Sequence, residues 1–361
     1  MPTDTLHQDF KMKGASVVTC CCIFLHLSMK VVCDSGATVV WRQNNADQDA
    51  DEIHGAIKGW GTNERKLIEI LGTRTSHQRK EISAAYNRKY GNPNDPGRSA
   101  IIDDLEGDTK GTFEDILVQL TYSIEELLAK EIHESLHRRK DWTFLEIICT
   151  SDKNMLDRIR AAYVAEFKVS LAQEIENTVL DVPTRLLLLR AMGGFDLPPR
   201  SSEGLDDKAV RDQVKSIPEK KEQCLLENNG KFFTLLSKES FAQIRTVVKE
   251  YGSKHKDDPV EKRIKENCED ESLRMAFTTI VNYAEDPPKY YATVLKDAMN
   301  GLGTKEQVLN RVIIWRSEID LARVAQSFHE LTHKSLVDWV KSDTSGDYQD
   351  ILVQLINGKP E

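Results

Sequence analysis

The sequence predicts an all-α fold built from four repeated units. The first observation is an internal match, because residues 107–120 read GDTKGTFEDILVQL and residues 342–355 read SDTSGDYQDILVQL. The second is that apolar residues recur at three- and four-residue spacings, as on one face of a helix, in segments such as 66–71 and 308–313. The third is that strand-like alternation bounded by Asn-Gly turns is absent from the sequence. Self-similarity on this scale is typical of repeat architectures.

A weaker match places two further units in the middle of the chain. The related segments begin 77, 85 and 80 residues apart and are ISAAYNRKY (82–90), IRAAYVAEF (159–167), IRTVVKEY (244–251) and VAQSFHEL (324–331). A linker rich in Gly and Pro separates the second unit from the third. We therefore predict units over 46–122, 123–193, 207–284 and 285–361, with the linker over 194–206.

Composition restricts the partners. The chain has 361 residues, and 49 Lys and Arg against 58 Asp and Glu give a formal net charge of −9. This acidic balance argues against a nucleic-acid partner, since such proteins carry a basic face, and it opposes simple adsorption to anionic lipid. A membrane role would need something that bridges like charges. The sequence contains no P-loop, dinucleotide fingerprint or Gly-x-Ser-x-Gly motif, and we predict that the protein is not an enzyme.

Residues 1–45 differ in kind from the rest of the chain. The apolar stretch 15–29 is too short to span a bilayer, and a disordered tail, a signal peptide and a palmitoylated anchor remain open for this segment. Cys149, Cys224 and Cys268 are scattered singly through helix-like sequence, which predicts reduced, buried thiols in a cytosolic protein.

Two glycine loops are candidates for a cation site. Each joins two predicted helices, and they read Gly-Trp-Gly-Thr (59–62) and Gly-Leu-Gly-Thr (301–304). Glycine permits strained backbone angles and lets carbonyl oxygens face outward. Asp108 and Asp343 each precede a Thr-x-Gly turn later in the same unit. Carbonyls with one carboxylate suit Ca²⁺, which takes about six to eight oxygens in irregular geometry.

From about Ala46 onward the chain resembles the annexin family, on the motifs AIKGWGT (56–62) and AMNGLGT (298–304) with the two later Asp-Thr-x-Gly turns. The resemblance implies four repeats of five helices in a slightly curved disk. It also implies Ca²⁺-dependent binding to acidic phospholipid by a cytoplasmic protein peripheral at membranes, and it leaves open a homodimer, other protein partners, and non-classical secretion or surface exposure. The degenerate middle repeats and the linker are similar to those of flatworm annexins.

Carried over residue by residue, the resemblance implies two metal sites. Their ligands would be the carbonyls of Ile57, Gly59 and Gly61 with the carboxylate of Asp108, and the carbonyls of Met299, Gly301 and Gly303 with the carboxylate of Asp343. Trp60 and Leu302 lie at the loop tips, where they either fold back onto the core or contact the lipid interface. We expect no such site in repeats two and three. Their loops lack Gly-x-Gly, and the carboxylate position falls near Thr178 and Cys268.

Two other function classes compete with calcium-dependent lipid binding. One is a protein-interaction scaffold that works without calcium. The other, a zinc metalloprotease, follows from two His-Glu-x-x-His matches at 133–137 and 329–333. The second match has no plausible third ligand after it. The first is followed by Glu166 and Glu174 but runs into the cationic segment 138–140, so the protease stays only a remote alternative.

Overall fold

The computed structural model describes residues 36–358 except for residues 60, 96, 197–198, 203, 221–223, 225–229 and 302. The predicted N-terminal segment up to residue 35 therefore lies outside the described residues. The described residues form twenty α-helices, one short 3₁₀ turn at Gly194–Asp196 and no strand. The all-α prediction is confirmed.

The helices fall into four groups of five, which we call repeats one to four. Repeat one contains α1 (Ala46–Ile57), α2 (Glu64–Leu71), α3 (Ser76–Tyr90), α4 (Ala100–Asp108) and α5 (Gly111–Thr121). Repeat two contains α6 (Ile124–Leu136), α7 (Thr143–Thr150), α8 (Lys153–Phe167), α9 (Leu171–Thr178) and α10 (Val182–Met192).

The second half of the chain follows the same order. Repeat three contains α11 (Asp207–Val214), α12 (Lys231–Lys238), α13 (Phe241–Lys254), α14 (Val260–Asn267) and α15 (Glu271–Glu285). Repeat four contains α16 (Pro287–Met299), α17 (Glu306–Ser317), α18 (Leu321–Thr332), α19 (Leu336–Asp343) and α20 (Gly346–Asn357). None of these helices is both long and apolar enough to cross a bilayer.

Within each repeat the first helix packs against the third, and the apolar faces of all four repeats join in one core. In repeats one to three, a side-chain cap marks where the third helix begins. Thr75, Asp152 and Ser240 each accept a hydrogen bond from the backbone N–H three residues later, which satisfies a donor that has no partner inside the helix. The polar residue before each apolar run thus sets the helix start.

The repeats pack as two pairs. In repeat four, α20 packs against α2 and α5 of repeat one, whereas α15 of repeat three packs against α7 and α10 of repeat two. The two pairs meet where α17 of repeat four contacts α6 of repeat two. Repeats one and four, which carry the two glycine loops, are therefore direct neighbours although they lie at opposite ends of the repeat array.

Part of the segment that precedes repeat one is bound to repeat four. The N–H groups of Thr38 and Val39 donate to the carbonyl of Ser317 at 2.8 and 3.0 Å, and the Thr38 hydroxyl donates to the carbonyl of Leu355 at 2.6 Å. The Ala322 N–H donates to the carbonyl of Gly36 at 2.8 Å. These bonds tie the chain ahead of α1 to the last repeat.

Buried arginines connect the repeats through charge. Arg311 on α17 is fully buried, and its guanidinium lies 3.0 Å from Glu146 and 3.7 Å from Glu131, both of repeat two. Burial raises the pKa of Glu131 to about 7, since the loss of water outweighs the attraction of Arg311. Arg79 of repeat one is also buried and lies 3.4 Å from Glu318 of repeat four.

The structure corrects the prediction of three reduced thiols. Cys224, in the connection between α11 and α12, forms a disulfide with Cys268 at the end of α14. Cys149 is a free, buried thiol, and burial raises its pKa to about 12. The prediction was wrong for the other two cysteines because they are separated by 44 residues and are brought together only by the packing of repeat three.

Arg311→Ala should destabilise the protein strongly, because it leaves two buried carboxylates without their cation. We expect a loss of about 3–5 kcal/mol in the free energy of unfolding, measured by urea denaturation. The matched control is Lys153→Ala, which breaks an exposed pair with Asp157 and should cost less than about 1 kcal/mol. Equal losses for the two variants would contradict the role given to Arg311.

Glu131→Gln tests the raised pKa. The folded protein keeps the Glu131 proton to about pH 7, whereas the ordinary value for Glu is 4.5, so the stability of the wild type falls as pH rises through this window. The variant does not titrate in this range. Its free energy of unfolding should therefore rise relative to that of the wild type by up to about 3 kcal/mol between pH 4.5 and about pH 7. Urea denaturation at a series of pH values measures both free energies of unfolding. A difference between them that does not change with pH would refute the raised pKa of Glu131.

Peptide mapping tests the disulfide. Protein purified without reductant and digested without reduction should release a peptide pair joined through Cys224 and Cys268, while Cys149 should react with an alkylating reagent only after unfolding. Alkylation of Cys268 in the folded, unreduced protein would show that the bond is absent.

Candidate functional site

In repeat one, the first glycine loop is a closed turn between α1 and α2. The Lys58 N–H donates to the carbonyl of His54 at 2.9 Å and ends α1, and the Asn63 N–H reaches back to the carbonyl of Ala56 at 2.8 Å. Gly61 has a φ of +80°, a conformation that L side chains rarely adopt. A Cβ on Gly59 would lie 3.5 Å from the carbonyl oxygen of Gly61. The loop therefore curls so that Gly59 lies close to the carbonyl group of Gly61.

The second glycine loop, between α16 and α17 of repeat four, forms the same turn. The Lys305 N–H donates to the carbonyl of Ala298 at 2.9 Å, across the same number of residues as in repeat one. Gly301 and Gly303 have φ values of +151° and +89°. Ile57 and Met299, at the corresponding helix ends, bury their apolar side chains. They could therefore offer a cation only their backbone carbonyls.

Each glycine loop is hydrogen-bonded to the predicted carboxylate residue of its own repeat. Asp108 and Asp343 are the last residues of α4 and α19. The Thr62 hydroxyl donates to the backbone carbonyl of Asp108 at 2.9 Å, and the Thr304 hydroxyl lies 3.2 Å from the carbonyl of Asp343. Two residues that are distant in sequence thus meet in the same way in both repeats.

The two carboxylates differ in their surroundings. The Asp343 carboxylate accepts a hydrogen bond from Thr304 at 2.6 Å and is half-buried, whereas Asp108 is exposed. The cation beside the first loop, Lys58, is bound to Asp104 at 2.8 Å rather than to Asp108. This bond is the main reason that the pKa of Lys58 is raised, and the charge of Asp108 adds to the effect. Trp60 and Leu302, predicted as membrane contacts, lie outside the described residues.

Repeat two has different chemistry at the corresponding loop. Lys140 has a φ of +61°, in the left-handed region where repeats one and four use glycine. Arg138 is paired with Glu134 at 2.7 Å and donates to the side chain of Gln307 at 2.7 Å. Cationic side chains therefore surround this loop, and α9 ends at Thr178 without a carboxylate.

The structure also brings the two histidines of the first His-Glu-x-x-His match together with a glutamate from another helix. His133 and His137 of α6 and its C-cap meet Glu174 of α9, with one ligand atom from each within 4.8 Å of the others. The His-x-x-x-His spacing was the available signal, but only the packing of α9 on the end of α6 identifies the carboxylate. In the second His-Glu-x-x-His match, His333 ends α18 in a left-handed conformation, with φ +56°. It therefore does not continue the helical face of His329.

In repeat three, the disulfide occupies the place of the loop-to-carboxylate contact. Cys224 precedes α12 and Cys268 follows α14, so the bond joins the connections that carry the glycine loop and the carboxylate in repeats one and four. The sequence predicts the carboxylate position near Cys268, but no local pattern in it identifies Cys224 as the partner of Cys268.

Comparisons with known proteins agree on one family. A family model described as Annexin matches residues 48–120 and 290–355. Annexin B10 of Drosophila melanogaster is 31% identical over 318 residues, which are 86% of this chain and 94% of the relative. Annexin A13 of Mus musculus is 31% identical over 318 residues, which are 87% of this chain and 95% of the relative.

Solved structures share the fold. Annexin III superposes with a TM-score of 0.78 at 28% identity, covering 90% of this chain and 98% of that one. A structure described as calcium-bound annexin (Sm)1 superposes with a TM-score of 0.76 at 24% identity, covering 90% of this chain and 94% of that one. The chain therefore belongs to the annexin family, whose members bind calcium and phospholipid membranes.

Proposed function

We propose that this annexin is a non-enzymatic protein that binds acidic phospholipid membranes in a calcium-dependent manner, through the glycine loops of repeats one and four. The observation that carries the proposal is the paired contact of loop and carboxylate residue, Thr62 with Asp108 and Thr304 with Asp343. Either contact alone would be an ordinary helix connection, but the same contact in two repeats supports a shared task.

The donor set fits Ca²⁺. In repeat one the ligands would be the carbonyls of Ile57, Gly59 and Gly61 with the carboxylate of Asp108, and in repeat four those of Met299, Gly301 and Gly303 with Asp343. All are oxygen atoms, which Ca²⁺ prefers, and each set contains one anionic side chain, which is typical of weak calcium sites. The curled loop of repeat one, with Gly59 against the carbonyl of Gly61, supports this assignment.

The four protein oxygens of each site fill only part of a calcium shell. When bound, the ion would join these oxygens to phosphate or carboxylate oxygens of the lipid headgroup. The protein contributes the position of the loops, and the packing of α20 on α2 and α5 places both in adjacent repeats. Two weak sites on adjacent repeats act together because the second binds at a high effective concentration. The proposed location is accordingly peripheral, at a membrane surface.

Liposome co-sedimentation tests the proposal. With vesicles of phosphatidylcholine and phosphatidylserine, the wild type should pellet in millimolar Ca²⁺ and remain in the supernatant with EGTA. Asp108→Ala or Asp343→Ala alone should raise the calcium needed for half-maximal pelleting by about tenfold or more, because bivalency is lost. The double variant should not pellet at the same calcium concentration.

The control is a double variant that removes two other exposed carboxylates, Glu106→Ala with Asp350→Ala, and changes the net charge by the same amount. It should pellet like the wild type. Pelleting that persists in EGTA, or that survives in the Asp108→Ala, Asp343→Ala variant, would refute the proposal. Capture of a protein partner that survives chelation, without pelleting, would favour a scaffold.

A further inference from the structure

We propose that repeat two holds a divalent transition-metal ion of the zinc class through His133, His137 and Glu174. The inference does not rest on the proposed calcium function, since the residues belong to a different repeat and a different donor class. It commits to metal binding and not to hydrolysis.

The three side chains converge from two helices. His133 and His137 are four residues apart, which places them on one face of α6, and their ring centroids are 4.7 Å apart. His137 Nε2 lies 3.0 Å from Glu174 Oε1. One ligand atom from each residue lies within 4.8 Å of the other two. Ligands of a tetrahedral zinc ion are about 3.3 Å apart at ordinary bond lengths, so small side-chain rotations would close the site. His137 has room to make them, as its side chain is 48% exposed.

The surrounding side chains already orient His133. The Tyr163 hydroxyl lies 2.9 Å from His133 Nδ1, and Phe167 stacks on the imidazole with the ring centroids 3.9 Å apart. In metal-bound histidines, the ring nitrogen that does not bind the metal is commonly held by a hydrogen bond. This bond fixes the ring and directs the other nitrogen at the metal.

Repeat one shows the same framework with a lysine in place of the second histidine. There His54 Nδ1 lies 3.1 Å from the Tyr86 hydroxyl, and the His54 ring stacks on Tyr90 at 3.7 Å. Asp104 on α4 is bound by Lys58, four residues after the histidine. The cation that neutralises the carboxylate of repeat one is therefore part of the protein.

Repeat two keeps each element of this framework except the lysine. The counterparts of the histidine, the hydroxyl, the stacked ring and the carboxylate are His133, Tyr163, Phe167 and Glu174. His137 stands where repeat one has Lys58. Lysine has three donors and no acceptor, whereas imidazole is a common metal ligand, so the exchange removes the lysine cation from beside Glu174 and supplies a nitrogen ligand in its place. A bound divalent ion would restore the missing positive charge.

The neighbouring cations do not prevent this. Arg138 is engaged by Glu134 at 2.7 Å and by Gln307 at 2.7 Å, and Lys130 is paired with Glu166. The Glu134–Arg138 pair also occupies the carboxylate that would serve as the base in a His-Glu-x-x-His protease. Two imidazoles and one carboxylate form a ligand set typical of Zn²⁺, with a fourth position for water. The nitrogen ligands disfavour Ca²⁺, which prefers oxygen.

The test compares the full-length wild type with His137→Lys, which restores the pairing seen between Lys58 and Asp104. Cysteine thiols also bind zinc. Serine therefore replaces Cys20, Cys21, Cys22 and Cys33 in every protein of this comparison, including the reference that is otherwise wild type. Zn²⁺ titration against a chromophoric chelator should show one equivalent bound by the wild type. The affinity for zinc should fall at least about tenfold in His137→Lys. Even the mutation of a residue that only hydrogen-bonds a metal ligand commonly lowers metal affinity by about 10–100-fold. Its thermal midpoint without metal should match that of the wild type.

Two further variants complete the experiment. Glu174→Gln should also lose the zinc equivalent, and it provides a second test should His137→Lys alter the fold. His333→Lys, in the other His-Glu-x-x-His match, should bind zinc like the wild type. Calcium-dependent pelleting of His137→Lys should be unchanged, so failure of one proposal is distinguishable from failure of the other. Equal zinc stoichiometry and affinity in the wild type, His137→Lys and Glu174→Gln would overturn the inference.

Discussion

The packing of repeat four against repeat one is the constraint on which the rest of the structure depends. A five-helix unit buries its apolar face only against its neighbours, and α20 buries Ile351, Leu352 and Leu355 completely between α17 of its own repeat and α2 and α5 of the first. The hydrogen bonds of Thr38 to Ser317 and Leu355 strengthen the same contact from the other end of the chain. Under the proposed function, this contact is what brings the repeats that carry the two glycine loops side by side.

A second regularity concerns the four repeats individually. In each one a bond joins the connection after the first helix to the fourth helix or its end. Repeats one and four use a threonine hydroxyl, repeat two uses His137 with Glu174, and repeat three uses the disulfide of Cys224 with Cys268. All four repeats thus tie the connection after the first helix to the fourth helix or its end, and the chemistry of the bond differs between them. Under the two proposals, the polar contacts of repeats one, two and four also leave a carboxylate available to a cation, whereas the disulfide of repeat three does not.

Much of this architecture could be predicted from the sequence, for identifiable reasons. The paired segments around Asp108 and Asp343 and the helical spacing of apolar residues predict the repeats, because both are local patterns. The pairing of Cys224 with Cys268 was not predicted, and neither was the approach of Glu174 to His133 and His137. Those contacts depend on how the fourth helix of a repeat packs on the end of the first, which no periodicity encodes. The threonine hydrogen bonds were missed for the same reason, although Thr62 and Thr304 were both part of the predicted loops.

The net charge of −9 limits how the membrane can be approached. Buried carboxylates such as Glu146 are balanced inside the protein by Arg311, and Asp104 is balanced by Lys58. Two bound divalent ions add four positive charges, which leaves the protein acidic, so they cannot turn it into a cation that adsorbs to anionic lipid by diffuse attraction. Under the proposed function, attachment must come from direct coordination at the two loops, against a long-range repulsion that salt screens over about 8–10 Å. The same repulsion favours release once calcium is withdrawn, and this makes an acidic chain with weak sites suited to reversible attachment.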